Sequence, residues 1–385
     1  MSSDSPSVVL QVLPALDGGG VERGTLEIAR ALVAAGHTAL VASAGGRLVA
    51  PLEAIGARHI TLPLASKAPI AMGRNAAALA ALIRREKVEV VHARSRAPAW
   101  SAFFAARRTG AAFVTTYHAA YNEGFPFKRL YNSIMARGER VIAISHFVAV
   151  LIMQRHHIPR ERIRIIPRGV DTEVFDPGAV SPVRTAALAA GWGLPAPETP
   201  GGAPVLMLPG RLTRWKGQEV LISALARMRH KEALAVLVGD AQGRARYVAD
   251  LQALAQARGV ADRVRLVGHT DDVPAALLLA DVVVCPSTEP EGFGRTVIEG
   301  QAMARPVVVS SHGGAAETVT EGETGWRVPP GDATALAAAL DAVLDMPPEH
   351  RAEIGQAARQ SVLAHYTTAE MQRATLAVYD EVRRR

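Results

Sequence analysis

Two carboxylates, Glu291 and Glu299, flank a Gly292-Phe293-Gly294 turn, with seven residues between them. The turn follows an apolar, strand-like run over 281–286 and leads into a helix-like run over 296–304. A strand, a glycine turn and a helix N-terminus together make an anion site, because free backbone N–H groups and the helix dipole converge on one spot. Phosphates are the usual occupants. Glutamates cannot neutralise a phosphate, so the pair needs another partner, and sugar hydroxyls suit it. A ligand with hydroxyls at both ends and a diphosphate between them is a nucleotide sugar.

The other candidates sit where strand-like runs end, the edge at which open α/β sheets collect ligands. Gly210-Arg211 and Lys216-Gly217 belong to a basic loop directly after the first strand of the chain's second half. Arg211 offers a planar fork and Lys216 a compact charge, a sensible pair for a diphosphate; a basic surface loop is the plainer reading. Arg214 and Trp215 in the same loop have no assigned part. Val238-Gly239-Asp240 and Val267-Gly268-His269 end two further strands. Their main-chain groups suit a base edge, although ordinary strand-ending glycines carry equal weight. Gly19 and Gly20 lie in Asp17-Gly18-Gly19-Gly20-Val21-Glu22, a strand-to-helix turn in which glycine lets backbone approach a ligand.

His118 follows the strand-like run 112–117 and is placed to position, or exchange a proton with, an acceptor hydroxyl; a structural histidine is the even alternative. Arg94 and Arg96, with His92, follow another strand end and suit an anionic acceptor. The segment 125–137 mixes apolar and basic residues at helical spacing. It reads first as a core-facing helix and second as a helix lying on an anionic membrane. Asp271-Asp272 reads as a helix cap. It lacks the D-x-D spacing of a metal-bridged diphosphate, so no metal is expected.

These residues need a layered scaffold to hold them. Strand-like runs at 8–13, 39–42, 88–92, 112–117, 141–144 and 163–166 alternate with helical patterns such as 20–35 and 75–86. The alternation restarts with runs at 205–208, 233–238, 264–267, 282–285 and 306–309. Such alternation predicts parallel sheets wrapped by helices. Between about 176 and 204 the composition shifts to Pro, Gly, Ala and Ser, interrupted by a short helical run at 183–190. The expected division is therefore an N-terminal domain over 1–180, a linker over 181–204, a second domain over 205–365 and a terminal helix over 366–385. That helix ends in three arginines; a return to the first domain is one place for it.

The bulk numbers fit two globular domains. The chain has 385 residues, 49% hydrophobic and 21% charged. No run approaches the ~18 apolar residues of a bilayer span, and the first residues lack a signal-peptide pattern. The single Cys285 fits a reducing cytoplasm. Residues 1–180 carry 22 Lys+Arg and 13 Asp+Glu, leaving 43−22 = 21 basic and 36−13 = 23 acidic residues for the remainder. The positive excess thus lies in the first half and suits an anionic membrane or a phosphorylated acceptor, although an arginine-rich solvated surface carries equal weight. No zinc spacing or basic-aromatic interleaving points to nucleic acid.

Taken together, the motifs resemble family-four (group 1) retaining glycosyltransferases of the GT-B fold. The likeness runs from Gly18-Gly19-Gly20-Val21-Glu22 through Gly169-Val170-Asp171, Gly210-Arg211, Lys216-Gly217, Val238-Gly239-Asp240 and the E-x₇-E pair to Gly313-Gly314 and Glu317. The Gly-Gly-Val-Glu-Arg-Gly wording is most similar to enzymes of bacterial lipopolysaccharide cores and related surface glycans. Arg168 stands where many relatives have Asn.

The resemblance implies two Rossmann-like domains facing a central cleft, the first binding the acceptor and the second the nucleotide sugar. It implies that Arg211 and Lys216 hold the donor diphosphate, helped by backbone N–H groups of Gly19, Thr296 and Val297. Glu291 and the Gly292-Phe293-Gly294 backbone would bind the donor sugar, Glu299 the ribose, and His118 would stand near the reacting centre. Glu299 lies about five residues into its helix, roughly 7.5 Å along the axis, a distance that suits a ribose beyond the phosphates. No cofactor or metal is implied, only a nucleotide-sugar donor and a glycan or lipid-linked acceptor. The implied setting is the cytoplasm, with peripheral contact at the inner face of the membrane. A nucleotide-sugar epimerase of the same fold and a non-catalytic nucleotide-sugar binder are the alternatives.

Overall fold

The computed structural model describes residues 6–121, 123–124, 126–195 and 202–384. Phe125 and residues 196–201 of the expected linker lie outside them. The chain forms two compact units, one of Met1–Pro167 with Ala369–Arg385 and one of Arg168–Thr368. Each is a Rossmann-like α/β unit.

The first unit holds β1 (Val8–Val12), β2 (Thr38–Ser43), β3 (Arg58–Thr61), β4 (Val90–Ala93), β5 (Ala112–Tyr117), β6 (Arg140–Ala143) and β7 (Ile163–Ile165). All pair in parallel, in the order β3-β2-β1-β4-β5-β6-β7. A fully parallel sheet must be covered on both faces, and the central strands β4, β5 and β6 are buried throughout. One cover is the C-terminal helix Thr368–Arg383, whose Met371, Val378, Tyr379 and Val382 share a core with Val9, Val90 and Val114. Tyr379 and Thr116 each lie 2.7 Å from a ring nitrogen of His92. His92 is therefore a buried strand residue, and burial holds its pKa well below the ordinary value. The terminal helix does return to the first unit.

The second unit holds β8 (Val205–Pro209), β9 (Leu234–Val238), β10 (Val264–Gly268), β11 (Val282–Cys285), β12 (Val307–Ser310) and β13 (Trp326–Val328). Their order is β10-β9-β8-β11-β12-β13, again parallel. In each sheet the order reverses beside the first strand, at β1/β4 and at β8/β11. Loops diverge at such a switch point and leave a crevice at the carboxyl edge.

The unit boundary differs from the compositional reading. Residues from Arg168 onward belong to the second unit, and the helix Pro182–Trp192 is part of it. Val180, Ala189 and Leu194 are buried in a core with Val205, Val236 and Ala276. Arg184 forks onto Asp272 at 2.8 and 2.6 Å. Small and proline-rich residues here make a packed strap, because alanine and valine bury well without length. The short strands β3 and β13 escaped the sequence pattern, since neither has a fully buried run.

Candidate functional site

The second unit builds the densest constellation, from the loops after β8 and β11. Gly210 adopts φ +148° and Gly217 φ +79°. A Cβ on Gly217 would stand 2.0 Å from the carbonyl of Pro286, and one on Gly239 would stand 2.0 Å from that of Gly210. The loop 210–217 is thus held against the ends of both neighbouring strands, at a closeness only glycine permits. Buried Gln218 donates to the Arg211 carbonyl at 3.0 Å and accepts from the Tyr247 hydroxyl at 3.1 Å. Thr288 N–H donates to the Trp215 carbonyl at 2.8 Å, tying the loop to the β11 turn.

This bracing brings Lys216 onto Glu291. Its Nζ lies 2.9 Å from both carboxylate oxygens, and Ser287 Oγ donates to Glu291 Oε1 at 2.5 Å. The two side chains are only 12% and 10% exposed. Lys216 also sits 4.7 Å from the centre of the Trp215 ring, a cation–π contact that gives Trp215 a part the sequence did not suggest. Arg211 is exposed and its side chain has no partner among the described residues. Arg214 is instead engaged with Glu219 and Asp250.

Around Glu291 the turn is fixed from behind. Gly314 N–H donates to the Glu291 carbonyl at 2.8 Å, and a Cβ on Gly313 would meet the Glu291 backbone at 2.7 Å. Gly294, at φ +83°, caps the helix Arg295–Ala302. Phe293 turns its ring inward toward Tyr366, 5.8 Å between centroids, so only its backbone is presented. One expectation is corrected here: the Val297 N–H donates to the Gly294 carbonyl at 3.0 Å, because the first helical turn closes tightly. It is not open to a phosphate as Thr296's is expected to be. Glu299 follows one turn on and lies 3.7 Å from Arg295, a cation beside the proposed ribose position that the spacing argument passed over.

The lesser candidates of this unit mostly shape loops. Asp240 accepts from the Gln242 N–H at 2.7 Å. The Gly268 carbonyl accepts from the Gly239 N–H at 2.8 Å. His269 is exposed and 3.1 Å from Asp271. Asp272 caps the helix Val273–Leu278, as its position suggested, and its bond to Arg184 holds its carboxyl below the usual range.

In the first unit, Gly18 (φ +153°) and Gly19 turn β1 into the helix Gly20–Ala34, with Gly19 as N-cap. A Cβ on Gly18 would lie 2.2 Å from the guanidinium of Arg47, whose Nε donates to the Asp17 carbonyl. Arg47 is a cation at the glycine turn that sequence reasoning missed. Its signal was Gly45-Gly46 after β2, where Gly46 passes within reach of the Leu16 backbone. His118 stands half-buried at the end of β5, as expected.

Arg94 departs from expectation. It is buried and donates at 3.3 Å to Gln11, whose own amide donates to the Thr25 carbonyl of the helix Gly20–Ala34, so it is no surface contact for an acceptor. Burial lowers its pKa from the ordinary arginine value, against the pull of Tyr379, Glu27 and Glu22. Arg96 lies 4.2 Å over the Tyr121 ring and donates to Asn132 at 2.9 Å.

The segment after residue 125 divides. Ile134, Met135 and Ala136 are core, whereas Phe127 and Leu130 are 84% and 58% exposed. Beside Leu130 a groove of about 710 Å³ is lined by Arg129, Arg137, Arg155 and Arg162, among others.

Comparison with known proteins gives this geometry its family. Residues 18–174 match Glycosyltransferase Family 4 and residues 195–361 match Glycosyl transferases group 1. A GDP-mannose-dependent alpha-(1-6)-phosphatidylinositol monomannoside mannosyltransferase of Mycobacterium tuberculosis is 30% identical over 300 residues, 74% of each chain. The chain belongs to the group 1, family-four glycosyltransferases. A solved glycosyltransferase from Rickettsia africae is 36% identical, with a TM-score of 0.90 over 98% of both chains. A D-inositol 3-phosphate glycosyltransferase of Xylanimonas cellulosilytica is 33% identical over 214 residues, 55% of this chain and half the length of that enzyme.

The lone cysteine of this glycosyltransferase lies behind the site. Cys285 is buried, its Sγ 3.5 Å from Thr296 Oγ1, and burial with nearby Glu291 pushes its thiol up to about 12. The reactive thiolate is therefore scarce at neutral pH. Iodoacetamide should leave the native protein unmodified over the time in which it labels the urea-unfolded chain; rapid native labelling would contradict the burial.

Proposed function

We propose that this glycosyltransferase moves a hexose-type sugar from a nucleotide-diphosphate sugar to a hydroxyl of a glycan or lipid-linked acceptor, with retention at the anomeric carbon. The observation that carries the reading is the braced Lys216–Glu291 pair beside a helix N-terminus at the β8/β11 switch point. Lys216 and Arg211 take the diphosphate, and Lys216 also orients Glu291 toward the donor sugar hydroxyls. Glu299 takes the ribose. As the glycosidic bond to phosphate lengthens, negative charge gathers on the leaving oxygens and positive charge on the sugar. Preorganised cations and the Thr296 N–H stabilise the former. The acceptor hydroxyl attacks from the leaving-group side and passes its proton to the departing phosphate.

No metal is required in this scheme, since the cations are supplied by side chains. The place we assign it is lipopolysaccharide or other surface-glycan synthesis at the cytoplasmic face of a membrane. The arginine-lined groove and exposed Phe127 and Leu130 of the first unit support contact with anionic lipid. Among the described residues no helix is long and apolar enough to cross a membrane.

A thermal-shift panel of UDP-, GDP- and ADP-sugars tests the donor, because a ligand of the native state raises its melting temperature. One nucleotide class should stand out, and turnover with it should persist in EDTA. NMR of the product should show the donor's anomeric configuration. An inverted product would refute the retaining mechanism, and epimer formation from donor alone would refute transfer.

A further inference from the structure

Arg214 was left over by the donor site, and it lines a second cavity. This one, of about 410 Å³, is bounded by Thr213, Arg214, Arg244, Arg246, Tyr247 and Asp250. Its size falls within the range of small-molecule sites. Arg214 is held there by Asp250 at 2.6 Å and Glu219 at 2.8 Å, with its guanidinium 5.1 Å over the Tyr247 ring. The other two arginines have no carboxylate partner among the described residues. Arg244 donates only to the Ala241 carbonyl and the Gln242 amide oxygen, at 3.1 and 3.3 Å. Arg246 has no side-chain partner among the described residues.

Two further features point the same way. Thr213 is 7% exposed, and its Oγ1 has no hydrogen-bond partner among the described residues. A buried hydroxyl is ordinarily paired, and this unmatched one belongs to a residue of the cavity wall. The 13-residue helix Ala245–Ala257 also begins here, and its N-cap Arg244 supplies no side-chain cap bond. Its dipole adds positive potential at the mouth.

We infer that this cavity binds a phosphomonoester dianion, and that its occupancy tunes the donor loop. Arg244 and Arg246 supply the fork geometry that phosphate oxygens accept, and Thr213 Oγ1 supplies a neutral donor. Asp250, which holds Arg214 from the cavity wall, keeps a further lone pair to accept a hydroxyl of the ester's organic part. The coupling is short. The Thr213 carbonyl accepts the Lys216 N–H at 2.9 Å, and the Arg214 carbonyl accepts the Gly217 N–H at 3.2 Å. An anion that fixes Thr213 and Arg214 fixes the turn carrying Lys216. This second part rests on the donor role proposed for Lys216; the binding itself does not.

The test titrates inorganic phosphate and glucose 6-phosphate into the intact protein by calorimetry at one ionic strength, with glucose as control. Phosphate alone and the ester separate a simple anion from a metabolite as the source. Wild type should bind a phosphate-bearing probe and not glucose. Arg244→Ala/Arg246→Ala should weaken that binding at least tenfold and leave nucleoside diphosphate affinity in its absence unchanged, and Thr213→Val should weaken it as well. Lys216→Ala should do the reverse. The saturating probe should tighten nucleoside diphosphate binding to wild type several-fold. Failure of wild type to bind either probe, or equal binding by the arginine variants, overturns the site. Loss of probe binding in Lys216→Ala would place the phosphate in the donor loop and overturns it too. An unmoved nucleoside diphosphate affinity overturns the coupling alone.

Discussion

Lys216→Ala is expected to lower turnover by roughly 10²–10³-fold, the usual loss when one preorganised donor to a developing anion is removed. Nucleoside diphosphate binding should weaken in parallel. The residue does two things that separate on mutation. It is a cation for the diphosphate, and it is the counter-charge of Glu291, whose side chain is only 10% exposed. Leaving a largely buried carboxylate unpaired costs about 3–5 kcal/mol in typical cases, less here because Ser287 still donates to it. The double variant Lys216→Met/Glu291→Gln should therefore be more stable than Lys216→Met and no more active. Additive stability losses would show that the two groups are not coupled. Unchanged nucleoside diphosphate affinity in Lys216→Ala would remove the phosphate role. Glu291→Gln alone should retain nucleoside diphosphate binding and lose sugar-dependent turnover, whereas Glu299→Ala should lose nucleoside diphosphate binding itself.

Much of this site could be read from the chain because its backbone chemistry is local. Gly294 at the helix start is a glycine that sequence spacing marks as a turn, whereas Gly217 is legible as part of the basic loop and Gly313 only through the family likeness. Parallel sheets were equally legible, since β4, β5, β8 and β11 are short apolar runs between helical patterns. What escaped is what depends on packing at a distance. Lys216 and Glu291 looked like readers of different ligand parts, and only the meeting of β8 and β11 makes them a pair. Arg94 and Arg96 are two residues apart, yet one is buried against Gln11 and the other stacks on tyrosine. No local pattern separates them. The segment around 182–195 has linker composition, but Ala189 and Leu194 find a core across from β8. Arg47 is far in sequence from the glycine turn it covers.

The C-terminal helix is the feature whose removal should matter most to stability. A chain ending at Thr368 would lose four buried side chains, Met371, Val378, Tyr379 and Val382, from the core of the first unit. At about 1.5–3 kcal/mol each, their loss approaches the ~5–15 kcal/mol that holds an ordinary domain together. It would also strip His92 of its Tyr379 partner inside the sheet. The truncated protein is expected to lose cooperative unfolding of the first unit while the second, whose core is its own, still melts and still binds nucleoside diphosphate. Retention of two native transitions would show that the helix is dispensable. A finer check uses charge. Glu381 on this helix bonds buried Arg140 and also Arg164 at 2.5–2.6 Å, and these guanidiniums pull its pKa from 4.5 to about 2. A carboxylate depressed in the folded state stabilises fully above its unfolded pKa and loses that contribution as pH falls through the folded value. Glu381→Gln should therefore cost about 1–3 kcal/mol at neutral pH, and the gap from wild type should close between pH 4.5 and 2. A gap independent of pH would assign the loss to packing of the helix and not to the ion pair.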